Sequence, residues 1–370
     1  MTEHSASAGL RVAVLDDVFR CVENGTGPHP DNLLWLDAVL EPAIRAVGGS
    51  RIRVSSHDFA QRRVDVARVI AACGLTAGLG AWAHLQEMDD TSVIGPWLRS
   101  YLGDIDTVVG FELPNVLFDA LVGTDLTVID LSFSPVRFLS DLCLDVRCND
   151  PGLAEHLQAI AIPEDEVLGE VAQIAGTVRR KFNDVRAAGA LGKAGVLLGQ
   201  TPVDASLIEN GRVVGLSDYT ERILAWAEPF DTVILKPHPY NPKGLNVPDL
   251  RRSGKRLVRT GTSPYQLFCY ENVVGAVAVS SGTLTEAEWF GVEASGFLTP
   301  PRARHAVRPV ERVSSAFFTA PFWRAWRDGL DPLSEPRRLP SLRAQIRWDW
   351  GFDRSFPNPK FRRIWRFPGF

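Results

Sequence analysis

The chain has 370 residues, enough for two domains of ordinary size, and its 45% hydrophobic and 23% charged residues are typical of a globular protein. No apolar run approaches the roughly 18 residues of a membrane span, and the first residues lack the basic and apolar regions of a signal peptide. The net charge is −4, and five scattered cysteines without a CxxC pair indicate reduced thiols in a cytoplasmic protein.

The first half of the sequence alternates short β-branched runs with helical stretches. Such a rhythm favours a parallel, doubly wound sheet. Pro42 lies inside one helical pattern and is expected to kink it or to lie in a turn. The predicted strands are residues 11–16, 51–55, 106–110 and 126–131, and the predicted helices are 32–47, 60–72 and a segment that begins near 114.

The same rhythm returns in the second half, after a polar helical region at residues 164–190. Two Rossmann-like α/β domains are therefore predicted, with parallel sheets facing a cleft: residues 1–190, and residues 191–310. Strands are predicted at residues 194–199, 232–235, 256–258 and 275–279, and helices at 217–227, 263–270 and 285–290.

The remaining residues, 311–370, form an Arg/Trp-rich segment. From residue 301 onward the chain has 15 Lys and Arg against 6 Asp and Glu, and it holds five of the ten tryptophans. This composition suits packing against the acidic remainder of the chain, an anionic membrane surface or a nucleic acid. We expect the segment to pack back on the first domain, with an anionic membrane surface as the alternative and no nucleic-acid partner.

The turn Ser280-Ser281-Gly282-Thr283 follows the predicted strand 275–279 and leads into a helix. Hydroxyls, main-chain N–H groups and the positive end of a helix dipole together suit a phosphate. Helix capping is the alternative interpretation, because Thr283 and Glu286 have the spacing of a capping box.

A histidine held between two prolines follows another predicted strand, in Lys236-Pro-His238-Pro239. The prolines fix the main chain around His238, beside Lys236, and an imidazole can donate to a phosphate leaving group without a metal. No DxD motif follows an early strand; Asp16-Asp17 follows the first strand, where acidic residues often cap the next helix. We expect no metal and no cofactor.

Asp204 lies just beyond the predicted strand 194–199, between Gln200 and Ser206. A carboxylate in this place suits a nucleophile or a general base in glycosyl transfer. An Asx turn explains it equally well, since aspartate after Pro-Val is common in turns.

Together these motifs resemble a known family. GQTPVDAS, LKPHPYN and VSSGTLTEAEWFG, in this order, resemble the bacterial capsule and lipopolysaccharide Kdo transferases, retaining β-Kdo enzymes of the GT-B type that use CMP-Kdo. The His-Pro and Ser-Ser elements are also similar to bacterial sialyltransferases, which use CMP-activated nonulosonic acids. The resemblance covers residues 195–292 and is fainter at 108–115 and 129–139.

The resemblance implies roles for the residues that match its motifs. Asp204 would attack the anomeric carbon, and His238 would contact the CMP phosphate together with Ser280 and Ser281. Glu112, by its position after the strand 106–110, is our candidate for activating the acceptor hydroxyl. The expected donor-binding residues are Gln200, Ser206, Lys236, His238, Ser280, Ser281, Gly282, Thr283 and Glu286.

The resemblance implies a glycosyltransferase that moves Kdo from CMP-Kdo to a bacterial surface polysaccharide or glycolipid, with retention. We expect it in the cytoplasm, with the inner face of the inner membrane as the alternative place. A transferase for sialic acid or another nonulosonic acid is the nearest alternative function. A second alternative is an inactive scaffold of an envelope-glycan assembly complex. Release of CMP from the donor distinguishes a transferase from such a scaffold.

Overall fold

The computed structural model describes residues 9–20, 30–181, 191–239, 241–298 and 309–346. Its strands, in chain order, are β1 (Arg11–Leu15), β2 (Ser50–Ser55), β3 (Arg62–Arg63), β4 (Thr107–Phe111), β5 (Thr127–Phe133), β6 (Cys143–Cys148), β7 (Ala194–Leu198), β8 (Ile208–Glu209), β9 (Arg212–Val213), β10 (Thr232–Lys236), β11 (Arg256–Arg259), β12 (Val273–Ala278), β13 (Glu293–Gly296) and β14 (Val310–Ser314).

The helices alternate with these strands in both halves. They are α1 (Pro30–Ala46), α2 (Val66–Ala72), α3 (Leu79–Glu87), α4 (Ile94–Leu102), α5 (Asn115–Val122), α6 (Pro151–Ala159), α7 (Glu164–Lys181), α8 (Thr220–Ala227), α9 (Pro248–Arg252), α10 (Pro264–Phe268), α11 (Gly282–Trp289), α12 (Ala320–Arg327) and α13 (Pro340–Ile346). Short 3-10 helices occur at Ala205–Leu207, Leu216–Tyr219 and Ser315–Phe318.

The chain divides into two compact units. The first comprises the described residues within Met1–Ser134, Asp141–Ile162 and Pro301–Pro340. The second comprises those within Pro135–Ser140, Pro163–Pro300 and Ser341–Phe370. The chain therefore enters the second unit briefly at residues 135–140, before the long stretch 163–300 that forms most of that unit.

The first unit is built on a sheet with the strand order β14-β6-β5-β4-β1-β2-β3. Strands β1 to β5 pair with one another in parallel, and β1 and β4 at the centre are apolar and buried almost throughout. This is the pattern of strands that are covered on both faces. Helix α12 packs on α1 and α6 of the same unit.

The second unit contains a five-stranded parallel sheet with the order β11-β10-β7-β12-β13. β7 at its centre is fully buried, and apolar side chains cover both faces. From β7 the chain proceeds to β10 and β11 on one side and then returns to β12 and β13 on the other. The two sheets thus confirm the predicted pair of Rossmann-like α/β domains.

The structure differs from the predicted fold at the edge of the first sheet, which is not wholly parallel. β6 pairs antiparallel with β5, and β14 pairs antiparallel with β6. Only residues 134–142 separate β5 from β6, and a parallel return needs a crossover of about a dozen residues or more. The short excursion into the second unit therefore returns the chain in the opposite direction.

The division of the chain also differs from the predicted boundaries. Helix α7, which the sequence placed before a boundary at residue 190, belongs to the second unit and packs against α10 there. Of the Arg/Trp-rich segment, β14 and α12 belong to the first unit, and α13 belongs to the second unit from Ser341 onward. Its residues 347–370, with three of the five tryptophans, lie outside the described residues.

Candidate active site

The polar strand ends of the second unit lie side by side. β7 pairs with β10 on one side and with β12 on the other, all parallel, so their carboxyl ends meet at one edge of the sheet. The strand order reverses between β7 and β12. In open α/β sheets ligands bind in the crevice at such a switch point.

Gly199 and Gln200, directly after β7, form hydrogen bonds to the ends of the two neighbouring strands, β10 and β12. The Gly199 N–H donates to the Lys236 carbonyl at 2.8 Å, and a Cβ at Gly199 would lie 2.9 Å from the main-chain nitrogen of His238. The Gln200 side-chain amide donates to the main-chain oxygen of Ser280. Its Oε1 is buried and has no hydrogen-bond partner among the described residues. This oxygen is therefore placed to accept a bond from a ligand.

Asp204 caps the 3-10 helix Ala205–Leu207, and its Oδ1 accepts the Ser206 N–H at 2.9 Å. This hydrogen bond confirms the Asx-turn interpretation of Asp204. The side chain is also partly exposed and close enough to His238 to act on the pKa of that imidazole. The turn fixes the carboxylate and leaves it in reach of a ligand, so a structural role and a chemical one are compatible.

Lys236 is the last residue of β10, His238 lies two residues beyond it, and both are half-buried. Burial lowers the pKa of the Lys236 ammonium. Burial also lowers the pKa of His238 to about 4; nearby Asp204 acts in the opposite direction, and the cations Arg137 and Lys236 lower the value further. The imidazole is therefore neutral near pH 7, and can donate one hydrogen bond to an oxyanion while Lys236 supplies positive charge.

Ser280 to Thr283 lead from β12 into α11. Ser281 is the N-cap of that helix, and its Oγ accepts the Thr283 N–H at 3.2 Å. The predicted capping box, with Thr283 as the cap, is wrong: the helix begins at Gly282, three residues earlier than expected. The first turn of α11 thus faces the crevice beside β7 with a serine at its start, an arrangement that suits an anion.

Glu286, on the second turn of α11, is 1% exposed. Its Oε1 accepts the main-chain N–H of Arg137 at 2.7 Å and the hydroxyl of Tyr265 at 3.0 Å. Burial raises the pKa of this carboxyl, and Arg137 opposes that shift. These contacts favour a positioning role for Glu286 over direct contact with a donor.

Arg137, which sequence reasoning did not single out, lies beside the start of α11. It belongs to the short segment Pro135–Ser140 of the second unit. A Cβ at Gly282 would lie 3.4 Å from its Nη2, so its guanidinium lies against the first residue of α11. The chain on either side of this segment belongs to the first unit, and only the Ser-Pro-Val-Arg sequence after β5 marks an interruption there.

Glu112 lies in the first unit, directly after β4. It is exposed and has a φ of 52°, in the left-handed region that side chains other than glycine rarely adopt. Its N–H donates to the Leu131 carbonyl at 2.8 Å, which holds the main chain in this conformation. A non-glycine residue kept in strain at a strand end is typical of functional positions.

Asp16 and Asp17 follow β1, the neighbour of β4, and both are buried. Asp17 accepts bonds from the Trp82 indole N–H at 2.7 Å and from Gln86 at 3.2 Å, so it anchors α3. Asp16 accepts the Ser55 hydroxyl at 3.3 Å. Burial raises the pKa of Asp16 to about 8, with the charge of Asp17 adding to the effect, and burial raises that of Asp17 to about 6.

No family model and no curated protein sequence matches the chain. Its structure is similar to that of Thermosulfurimonas dismutans KpsC, a beta Kdo 2,7 transferase, with a TM-score of 0.40 and 13% identity over 90% of this chain and 88% of that one. It is also similar to the Neisseria meningitidis UDP-GlcNAc 2-epimerase bound to UDP-GlcNAc, with a TM-score of 0.27 and 12% identity over 77% and 81% of the two chains. A glycosyltransferase from Rickettsia africae gives a TM-score of 0.30 and 9% identity over 77% and 78%.

Within the part of the chain that the structure describes, no helix is long and apolar enough to cross a membrane.

Proposed function

We propose that the chain is a glycosyltransferase that moves Kdo from CMP-Kdo to a hydroxyl of a bacterial surface polysaccharide or glycolipid. One observation carries the proposal. Asp204, the neutral imidazole of His238 and the Ser281-capped start of α11 occupy adjacent carboxyl ends of one parallel sheet. A nucleophile and a binding site for a phosphate leaving group belong at such an edge.

The phosphate of CMP would lie at the start of α11. Ser280 and Ser281 would donate their hydroxyls, the first turn of the helix its N–H groups, and His238 one ring N–H. Lys236 would balance the charge of the phosphate or of the sugar carboxylate. The unpartnered Oε1 of Gln200 would accept a bond from a hydroxyl or an amine of the donor.

Asp204 would attack the anomeric carbon as CMP departs, and the resulting glycosyl-enzyme would pass Kdo to the acceptor. Two displacements at one carbon give net retention. Glu112 would take the proton of the acceptor hydroxyl, a role that its strained position after β4 supports.

Calorimetric titration with CMP, UMP, UDP and GDP tests the donor assignment. We expect CMP to bind most tightly. His238→Ala should weaken CMP about 10- to 100-fold, the usual worth of a hydrogen bond to a charged group, and leave cytidine almost unaffected. The matched control is His84→Ala, which removes an exposed histidine of the first unit. Tighter binding of UDP or GDP would contradict the proposal.

The same sugar-acid chemistry would serve a transferase for sialic acid or another nonulosonic acid. Donor competition distinguishes these substrates: CMP-Kdo should displace CMP more effectively than CMP-sialic acid does. A scaffold without activity would release no CMP from either donor.

A further inference from the structure

The segment Pro135–Ser140 is built into the second unit by buried contacts. Val136, Phe138 and Leu139 are each at most 2% exposed. The Phe138 ring packs edge-on against Tyr265 and Phe290, with centroids 5.6 Å and 5.5 Å away. Because Val136 and Phe138 are anchored in this way, Arg137 between them is held in a fixed place.

Both main-chain polar groups of Arg137 are occupied by buried side chains. Its N–H donates to Glu286 at 2.7 Å, and its carbonyl accepts a hydrogen bond from Arg343, which is 2% exposed. These contacts do not involve the Arg137 side chain. The fold therefore fixes the main chain of Arg137 and leaves its partly exposed guanidinium to face the start of α11.

Three cationic or hydrogen-bond-donating side chains therefore converge at the edge where β10 and β12 end. Arg137 lies against Gly282, and it acts electrostatically on His238, as Lys236 also does. Gly282 matters for this approach, since a Cβ there would come within 3.1 Å of Pro135. An anion at this place would be attracted by the N-terminal end of the helix dipole and by both cationic side chains.

We infer that Arg137 is a donor-binding residue whose guanidinium holds an anionic oxygen group of the CMP-sugar. This inference rests on the proposed function. The group is either the phosphate of the nucleotide or the carboxylate of the sugar acid, since both present the paired oxygens that a guanidinium binds with two parallel N–H bonds. The segment Pro135–Ser140 thereby supplies the site with a guanidinium, which β7, β10 and β12 lack.

The test compares Arg137→Gln and Arg137→Lys with Arg251→Gln, which removes the same charge from an exposed position of the second unit. Calorimetry is run with CMP and with CMP-Kdo in the Asp204→Asn background, in which CMP-Kdo is not consumed, and thermal unfolding checks each fold. We expect Arg137→Gln to lower the affinity for CMP-Kdo about tenfold or more. Its unfolding temperature should match that of Arg251→Gln, because the main-chain contacts of residue 137 persist.

The two ligands identify the bound group. An equal loss for CMP and CMP-Kdo indicates the phosphate, whereas a loss for CMP-Kdo alone indicates the carboxylate. In the second case Arg137→Lys should recover little, since an ammonium lacks the planar fork.

The inference is overturned if Arg137→Gln, correctly folded, binds both ligands as Arg251→Gln does. If the wild-type protein prefers UDP or GDP, the proposed donor fails, and the same variants are compared with that nucleotide. A loss specific to residue 137 would then still support an anion-binding arginine, and equal binding would overturn it.

Discussion

The carboxylate of Glu286 accepts the main-chain N–H of Arg137, a residue 149 positions earlier in the sequence, at 2.7 Å. The contact ties the short excursion Pro135–Ser140 to helix α11, beside the turn that the sequence marks as an anion site. It also gives the buried carboxylate of Glu286 a hydrogen-bond donor, the main-chain N–H of Arg137. Glu286 thus fixes the main chain of Arg137.

Replacing Glu286 tests this relationship. Glu286→Ala leaves the Arg137 N–H and the Tyr265 hydroxyl without their partner in a buried place, at about 1–3 kcal/mol for each group. Glu286→Gln keeps an acceptor oxygen and should lose less. Urea unfolding measures the difference, with exposed Glu288→Ala on the same helix as control. Equal stability of the Glu286→Ala and Glu288→Ala variants would refute the positioning role.

The sequence predicted the two α/β domains because buried strands and amphipathic helices alternate with clear periods. It also predicted the polar ends of β7, β10 and β12, since each follows its strand directly. Arg137 escaped prediction because proximity along the chain assigned it to the first domain. The cap of α11 was placed at Thr283 because its spacing to Glu286 fits a capping box, whereas Glu286 is engaged by groups distant in sequence.

Gly199 should be irreplaceable at the end of β7. A Cβ there would lie 2.9 Å from the His238 nitrogen and 3.1 Å from the Pro237 Cα, both main-chain atoms that cannot move alone. We expect Gly199→Ala to lower the unfolding temperature and to weaken CMP binding, because the β10 end must shift. Gly261→Ala, where a Cβ meets nothing within 4 Å, is the control. Unchanged CMP affinity in Gly199→Ala would contradict the close approach.

We expect Glu112 to lower the free energy of unfolding and to support transfer to the acceptor. Glycine adopts a φ of 52° without the cost that a glutamate incurs there, about 1 kcal/mol. Glu112→Gly should therefore raise the free energy of unfolding while it lowers transfer to the acceptor, and Glu112→Gln should lower transfer at unchanged stability. Urea unfolding and an acceptor assay report the two effects. Full transfer by the Glu112→Gln variant would remove this residue from the mechanism.

Asp16 should make the protein less stable as the pH rises. Its pKa is raised to about 8, so the folded chain keeps a proton that the unfolded chain loses near pH 4. The stabilisation by the neutral carboxyl is full below pH 4 and is lost progressively as the pH rises through 8. Near pH 6.5, Asp16→Asn should remove a decline of about 1.4 kcal/mol per pH unit in the free energy of unfolding, and about half of that slope at pH 8. Identical pH slopes for wild type and variant would contradict this assignment.

The most direct test of the account is the intact mass of the protein after incubation with CMP-Kdo in the absence of acceptor. The carboxylate of Asp204 is fixed by the Ser206 N–H, and Asp204→Asn retains an oxygen for that bond, so the variant should fold and bind CMP. We predict a Kdo-sized adduct on the peptide that carries Asp204 in the wild-type protein, with release of CMP, and neither in Asp204→Asn. Absence of CMP release from the wild-type protein, or full transfer activity in Asp204→Asn, would contradict the account.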